Sequence, residues 1–376
     1  MRVAILETVK TNGGFEQEFD RLIIDELKCQ GHEPLLLLPG NSSLSVDFDV
    51  PIEYLQGGSI ISYEGAGKLK KRWLSLQREA RRIRWFNSAY ERAARREFDA
   101  IILTTATYRY LRSLHKSKLK ESPIPVIFIF LGVNPQEKPK FLVQAERCKD
   151  YKNIRLKVTS LRNDFLQDNV SNVEVIQPPV LRPAGVSAAS HLTYREPIRI
   201  GFFGHYRQGE KNIDKIIQAF VQAELDGLAH LVVQLAPTES ADIASASAIM
   251  KKYDNEANVS FIKGKLYGKE WYDALSAVDV LFLPYQDKRY VYNWSAVYFN
   301  AMALCKPVLT TAVLNPEVLA RYKIGEAVQL DDLRVLSEQI HEFIYTYREK
   351  LPIYEANLFN VNQEFSAANF LKALLK

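Results

Sequence analysis

The stretch YNWSAVYFNAMALCKPVL, residues 292–309, reads as a helix that opens at Ser295, closes at Lys306-Pro307 and feeds an apolar strand. Ser is a favoured N-cap, and Pro cannot continue a helix. The strand that follows has no polar face, as a strand buried on both sides requires. The same unit recurs along the chain. Continuous apolar runs stand at RVAIL, PLLLL, DAIILTT, PVIFIF, RLKVTS and VEVIQP in the first half, and at IRIGFFG, HLVVQLA, VSFIKG, VLFLPY, PVLTT and EAVQL in the second. Helical segments between them make repeated βαβ units, hence two parallel, doubly wound sheets. The first helix is the clearest: Phe15, Phe19, Leu22, Ile23 and Leu27 share a face, and Gly31 stops it.

At 376 residues the chain is too long for one ordinary core. The aperiodic segment PPVLRPAGVSAASHLTYREP, residues 178–197, marks the joint. The expected division is a first Rossmann-like domain over 1–180, a linker over 181–197, a second over 198–360 and a terminal helix over 361–376. That helix carries Phe365, Phe370 and Leu374 at helical spacing and is expected to pack back on the first domain. The expected class is α/β, with the two domains facing across a cleft at the carboxyl ends of their sheets, where ligands bind in such folds.

Composition is that of an ordinary soluble globular protein, 47% hydrophobic and 25% charged. The balance of 49 Lys and Arg against 44 Asp and Glu is mildly basic and does not call for a nucleic-acid partner, and no DNA-reading motif is present. Cys29, Cys148 and Cys305 lie far apart, with neither a disulfide framework nor metal-ligand spacing. Asp47-Phe48-Asp49 copies an Asp-x-Asp metal pattern without matching surroundings, so no metal is expected. Met1 leads directly into a strand, with no signal peptide visible, and no apolar run approaches the roughly 20 residues that span a bilayer. The expected location is the cytoplasm or the inner face of a membrane.

Charge is most uneven over residues 67–98. Leu69, Trp73, Leu76, Ala80, Ile83 and Tyr90 fall at helical spacing, flanked by Lys68, Lys70, Lys71, Arg72, Arg81, Arg82 and Arg84. Such a helix either lies on an anionic membrane surface through residues 68–86, or packs its apolar stripe on the sheet with a solvated basic face. The membrane reading is adopted for 68–74.

Four segments, NGGFEQEF, GFFGHYRQGEKNIDKIIQAF, VSFIKGKLYGKEWYDALSAVDVLFLPY and YNWSAVYFNAMALCKPVLTT, resemble in order and spacing the nucleotide-sugar glycosyltransferases of the GT-B fold. The sequence is most similar to family 4, and within it to the polysaccharide-assembly type. The resemblance implies sugar transfer from a nucleotide diphosphate, of UDP or GDP type, to a glycan or lipid-linked saccharide. It implies retention of configuration, no cofactor, an acceptor-binding first domain and a donor-binding second one.

The resemblance also assigns residues. Ser295 with the amides of Ala296 and Val297 would hold phosphate, and Lys211 and Arg207 the diphosphate, with His205 where the family has Arg. The Gly13-Gly14 loop would border donor phosphates and acceptor, and the turn Lys263-Gly264-Lys265 would meet the base. Glu16 is either an acceptor-side base or a first-turn acid, and Asp20 is the other carboxylate an inverting route would draw on. The two family glutamates, seven residues apart, fall on Tyr292 and Asn300, and a common His falls on Leu131. Asn300 keeps the capacity to bind ribose, and Glu317 matches a further family position. With both carboxylates missing, the alternative is a non-catalytic GT-B partner of a glycosyltransferase.

Overall fold

The computed structural model describes residues 1–8, 14–40, 47–63, 65–166, 172–182, 186, 191–207, 211–237 and 239–376. They form two compact units, Met1–Pro178 with Ala367–Lys376, and Pro179–Ser366. Residues 183–185 and 187–190 of the expected linker lie outside the described residues.

The first unit runs β1 (Arg2–Leu6), α1 (Phe15–Cys29), β2 (Glu33–Pro39), β3 (Ile52–Leu55), α2 (Lys68–Ala94), β4 (Ala100–Leu103), α3 (Tyr108–Leu114), β5 (Val126–Phe130), α4 (Lys138–Glu146), β6 (Ile154–Thr159) and β7 (Val173–Ile176). Its strands order as β3-β2-β1-β4-β5-β6-β7, all parallel. Ile5 sits opposite Leu36 on one side and Ile102 on the other, so aliphatic side chains fill both faces at the sheet centre. The edge strand β3 has no continuous apolar run; Ile52 and Tyr54 face solvent, which hid it from the sequence reading.

The second unit runs β8 (Ile198–Phe202), β9 (His205–Tyr206), α5 (Ile213–Gln222), β10 (Ala229–Pro237), α6 (Ser240–Lys252), β11 (Val259–Lys263), α7 (Gly268–Ser276), β12 (Val280–Leu283), α8 (Ala296–Ala303), β13 (Val308–Thr311), α9 (Pro316–Arg321), β14 (Gly325–Val328) and α10 (Leu333–Glu364). Its main sheet orders as β11-β10-β8-β12-β13-β14, with short β9 paired to β10, again parallel throughout. Both sheets reverse strand order beside their first strand, at β1/β4 and at β8/β12. Crevices open at such switch points, outside the carboxyl ends of the strands.

The expected single helix over 361–376 is two pieces. α10 stops at Glu364, where the Phe365 carbonyl accepts the Val180 amide at 2.7 Å, and α11 (Ala367–Leu375) belongs to the first unit. Phe370 meets Phe19 edge-on with ring centres 5.6 Å apart. The last carbonyls of α11 are closed by cations: Lys157 donates to Ala373 and Arg155 to Leu375, at 3.0 and 3.1 Å.

α2 does not bury the stripe its spacing suggested. Leu69, Trp73 and Leu76 are 82%, 58% and 68% exposed. The buried face carries Leu74, Arg82, Trp85, Phe86, Ala89 and Ala93, with Phe86 edge-on to Phe128 at 6.1 Å. Apolar residues occur on two sides of this helix, so periodicity alone fits either face. Among the described residues no helix is long and apolar enough to cross a membrane.

Candidate functional site

In the second unit the loop leaving β8 turns at Gly204, whose φ of 120° is open to glycine and strained for other residues. A Cβ there would come within 3.0 Å of Lys211 Nζ, so the bare glycine leaves the ammonium its place. Lys211 also lies over the rings of Phe202 and Tyr285, at 5.5 and 4.9 Å from their centres. Tyr285 stacks on Tyr290 at 5.4 Å, and the Arg289 guanidinium covers Tyr290 at 4.9 Å.

His205 reports how many cations meet at this loop. Partial burial holds its pKa below the ordinary value, and the positive charges of Lys211, Lys265 and Arg207 push it in the same direction. Two residues expected to bind the diphosphate, Lys211 and Arg207, and one expected at the base, Lys265, thus act on the His205 ring. A neutral imidazole among cations gains a proton most readily when an anion arrives to offset them. Arg207 also lines a neighbouring groove of about 370 Å³ with Tyr206, Asn212 and Lys252.

The sequence reading missed the residue that joins these loops. Gln234, 2% exposed in β10, accepts the Gly204 amide at 3.0 Å and donates to the Gly264 carbonyl at 2.9 Å. Gly264 has a φ of 87°, and its own amide donates to the Leu235 carbonyl at 3.1 Å. Both backbone groups of Gly264, expected at the nucleotide base, thus hold the turn. The signal was the lone amide inside the apolar run HLVVQLA: a buried polar side chain needs partners nearby.

At the start of α8, Ser295 is buried and its hydroxyl accepts the Tyr298 amide at 3.4 Å, the N-cap bond. Its own amide donates to Asn315 Oδ1 at 3.1 Å. The amides of Ala296 and Val297, half-buried, have no acceptor among the described residues. What this helix start leaves open for an anion is backbone rather than hydroxyl. Asn300 is buried, donates to the Leu181 carbonyl at 2.9 Å and accepts from Trp271 Nε1 at 3.4 Å, so both ends of its amide already tie the fold. Tyr292 is half-buried at the end of the 3-10 turn Lys288–Val291, and Glu317 lies in the first turn of α9.

In the first unit Gly13 lies outside the described residues, and Gly14 caps α1 with a φ of 112°. Glu16 lines a cavity of about 270 Å³ together with Thr8, Thr105 and four arginines. Asp20 is fully buried, and burial, then the Glu7 carboxylate, raise its pKa well above the usual range. Both Asp20 oxygens are closed off from solvent within the unit, so they do not face an acceptor. Glu7, also missed, is 1% exposed at the end of β1 and accepts the Thr104 hydroxyl at 2.8 Å. Asp49 is paired with Lys28 at 3.1 Å, giving the Asp-x-Asp pattern a local structural use. Among the described residues no three His, Cys, Asp or Glu side chains gather as for a metal.

No protein-family model matches the chain, and no curated protein matches it in sequence. Solved structures match its fold. A crystal structure of Anabaena HepE with UDP and glucose is similar at 13% identity and TM-score 0.63, covering 100% of this chain and 98% of its own. The sucrose-phosphate synthase of Thermosynechococcus elongatus matches at 15% identity and TM-score 0.67, with 100% and 98% covered. WaaG, a glycosyltransferase involved in lipopolysaccharide biosynthesis, matches at 16% identity and TM-score 0.57, with 96% and 95% covered. The fold is that of the GT-B glycosyltransferases: two Rossmann-like units built on parallel sheets.

Replacing Gln234 with Leu strands the Gly204 N–H and the Gly264 carbonyl in a buried setting. Stability measured by chemical denaturation is expected to fall by about 1–3 kcal/mol for each group left unpaired; an unchanged midpoint would show that the bridge holds nothing.

Proposed function

We propose that the chain is a metal-independent glycosyltransferase of the family 4 type, acting in the synthesis of cell-surface polysaccharide. Its donor is a nucleotide-diphosphate sugar, and its acceptor a glycan or lipid-linked saccharide. The observation that carries this reading is Lys211 seated against Gly204 and over the rings of Phe202 and Tyr285 at the carboxyl end of β8, where its charge, with those of Lys265 and Arg207, lowers the His205 pKa. Negative charge grows on the diphosphate as the sugar leaves, and fixed cations stabilise it most where their positions are already set. Lys211 is set by Gly204 and by the two rings beneath it. The free amides of Ala296 and Val297 add a second anion-binding element at a helix start. UDP is favoured as the nucleotide because HepE, of the same fold, was crystallised with UDP and with UDP-glucose. In a retaining route the leaving phosphate takes the acceptor proton, so no strong base is required.

A second reading, a non-catalytic GT-B partner, is supported by the engagement of Asn300 and Ser295 within the fold and by the Tyr at 292. Turnover separates the two readings, since release of sugar from any nucleotide donor excludes a pure scaffold. Lys211→Ala is expected to weaken UDP or GDP binding about tenfold to a hundredfold in calorimetry, the worth of a hydrogen bond to a charged group. It should also abolish donor turnover. Unchanged affinity would overturn the assignment.

The membrane reading is supported by the exposed Leu69, Trp73 and Leu76 of α2, interleaved with exposed Lys68, Lys70, Lys71 and Arg72. Apolar tips enter the interface and each cation adds about 1 kcal/mol on an anionic surface. Arg81 and Arg82, expected to share that face, are turned inward. The full chain is expected to float with phosphatidylglycerol vesicles at low salt, and a Trp73→Ser/Leu76→Ser variant to remain at the bottom. Absence of flotation by the unaltered chain would remove the membrane claim.

A further inference from the structure

The cavity beside Glu16 lies at the β1/β4 switch point of the first unit and is lined by Arg78, Arg81, Arg82 and Arg109. The first three stand three and one residues apart on α2 and share one face of it. Among the described residues none of these three has a carboxylate within 4 Å, although Glu16 is on the same wall. The acid nearest in sequence, Glu79, is taken by Arg112 and Lys116 at 2.7 and 2.6 Å. Arg109 pairs with half-buried Glu137 at 3.3 Å and lies over the Tyr108 ring at 4.7 Å.

The guanidiniums of Arg78, Arg81 and Arg82 are braced by neutral groups. Arg82, 8% exposed, donates through Nη1 to the Arg109 carbonyl at 2.7 Å and to Ser113 Oγ at 3.1 Å, and lies over the Tyr110 ring at 4.9 Å. Arg78 covers Tyr63 at 4.3 Å, and Arg81 donates to the Ser59 carbonyl. Burial lowers the Arg82 pKa; Tyr110 and Glu79 oppose that shift, and the charges of Arg78 and Arg112 reinforce it. Four like charges around a shared space that Glu16 alone enters as an acid repel one another, and an anion filling that space relieves the repulsion. Planar guanidinium forks match phosphate and carboxylate oxygens in pairs. Thr8, Thr105 and Thr107 complete the wall, the first two with their hydroxyls bonded to Tyr110 and Glu7, and the volume admits about one charged saccharide unit.

We infer that this cavity is an oxyanion site that takes a phosphate or carboxylate group carried by a saccharide, with Arg78, Arg81, Arg82 and Arg109 as its ligands. That the saccharide is the acceptor rests on the proposed glycosyl transfer; the anion site itself does not. The shared chemistry has two sources, a phosphate that links a sugar to another group and an acidic sugar.

The test is thermal shift and calorimetry on the full chain with inorganic phosphate, glucuronate, glucose and UDP, repeated on an Arg78→Gln/Arg81→Gln variant and on Lys211→Gln. Phosphate or glucuronate is expected to stabilise the unaltered chain and Lys211→Gln alike, while glucose does not. In the Arg78→Gln/Arg81→Gln variant that anion affinity should fall at least tenfold, with the UDP response kept. Tighter phosphate assigns the linking group, and tighter glucuronate the acidic sugar. If UDP binds no form of the protein while the arginine substitutions still abolish the anion response, the donor reading fails and the anion site stands. Should the double variant not melt cooperatively, Arg78→Gln alone carries the test, since its ring contact is with the half-buried Tyr63 rather than with the main core. Equal anion affinity in the arginine variant, or no anion response in the unaltered chain, overturns the inference.

Discussion

One buried amide organises the donor-side chemistry. Gln234 spans the loop after β8 and the turn after β11 through two hydrogen bonds, to Gly204 and Gly264, and so fixes two left-handed glycines against each other. Everything cationic hangs on those loops: Lys211 fits where Gly204 lacks a side chain, and Lys265 follows Gly264 directly. Parallel strands buried on both faces leave polar chemistry only their ends, and the ends of β8, β10 and β11 meet at this amide.

The two units answer the same topological problem with different cations. In the second, lysines and an arginine from loops surround a neutral His205, an arrangement whose charges stay close to water. In the first, three arginines from the α2 face and one from α3 line a cavity of about 270 Å³, and one of them is buried. An ammonium is a mobile point charge and suits a phosphate chain that must leave; guanidinium forks favour one fixed orientation of a bound oxyanion.

Much of the fold was legible because its strands are uniform. Eleven or more residues of periodic pattern and short apolar runs such as PVIFIF and VLFLPY signal parallel sheets without ambiguity about face, since both faces are buried. β3 was not legible because an edge strand shows only alternation. In α2 a 27-residue helix carries aromatic and basic residues on several sides, and only tertiary packing decides that Trp85 and Phe86 go in while Trp73 stays out. Lys211, Arg207, His205 and Lys265 were named in advance by the resemblance to GT-B transferases, whose motifs are local in sequence. Gln234, Glu7 and the engaged state of Asn300 were not, because each depends on a partner 29 to 119 residues distant, as with Gly204, Gly264, Trp271 and Leu181.

The most direct measurement is a crystal structure of the full chain with a UDP-sugar bound. The account predicts the pyrophosphate within hydrogen-bonding distance of Lys211 Nζ and of the Ala296 and Val297 amides. A pyrophosphate seated among Arg78, Arg81 and Arg82 instead, or crystals that take up no nucleotide at saturating concentration, would contradict it.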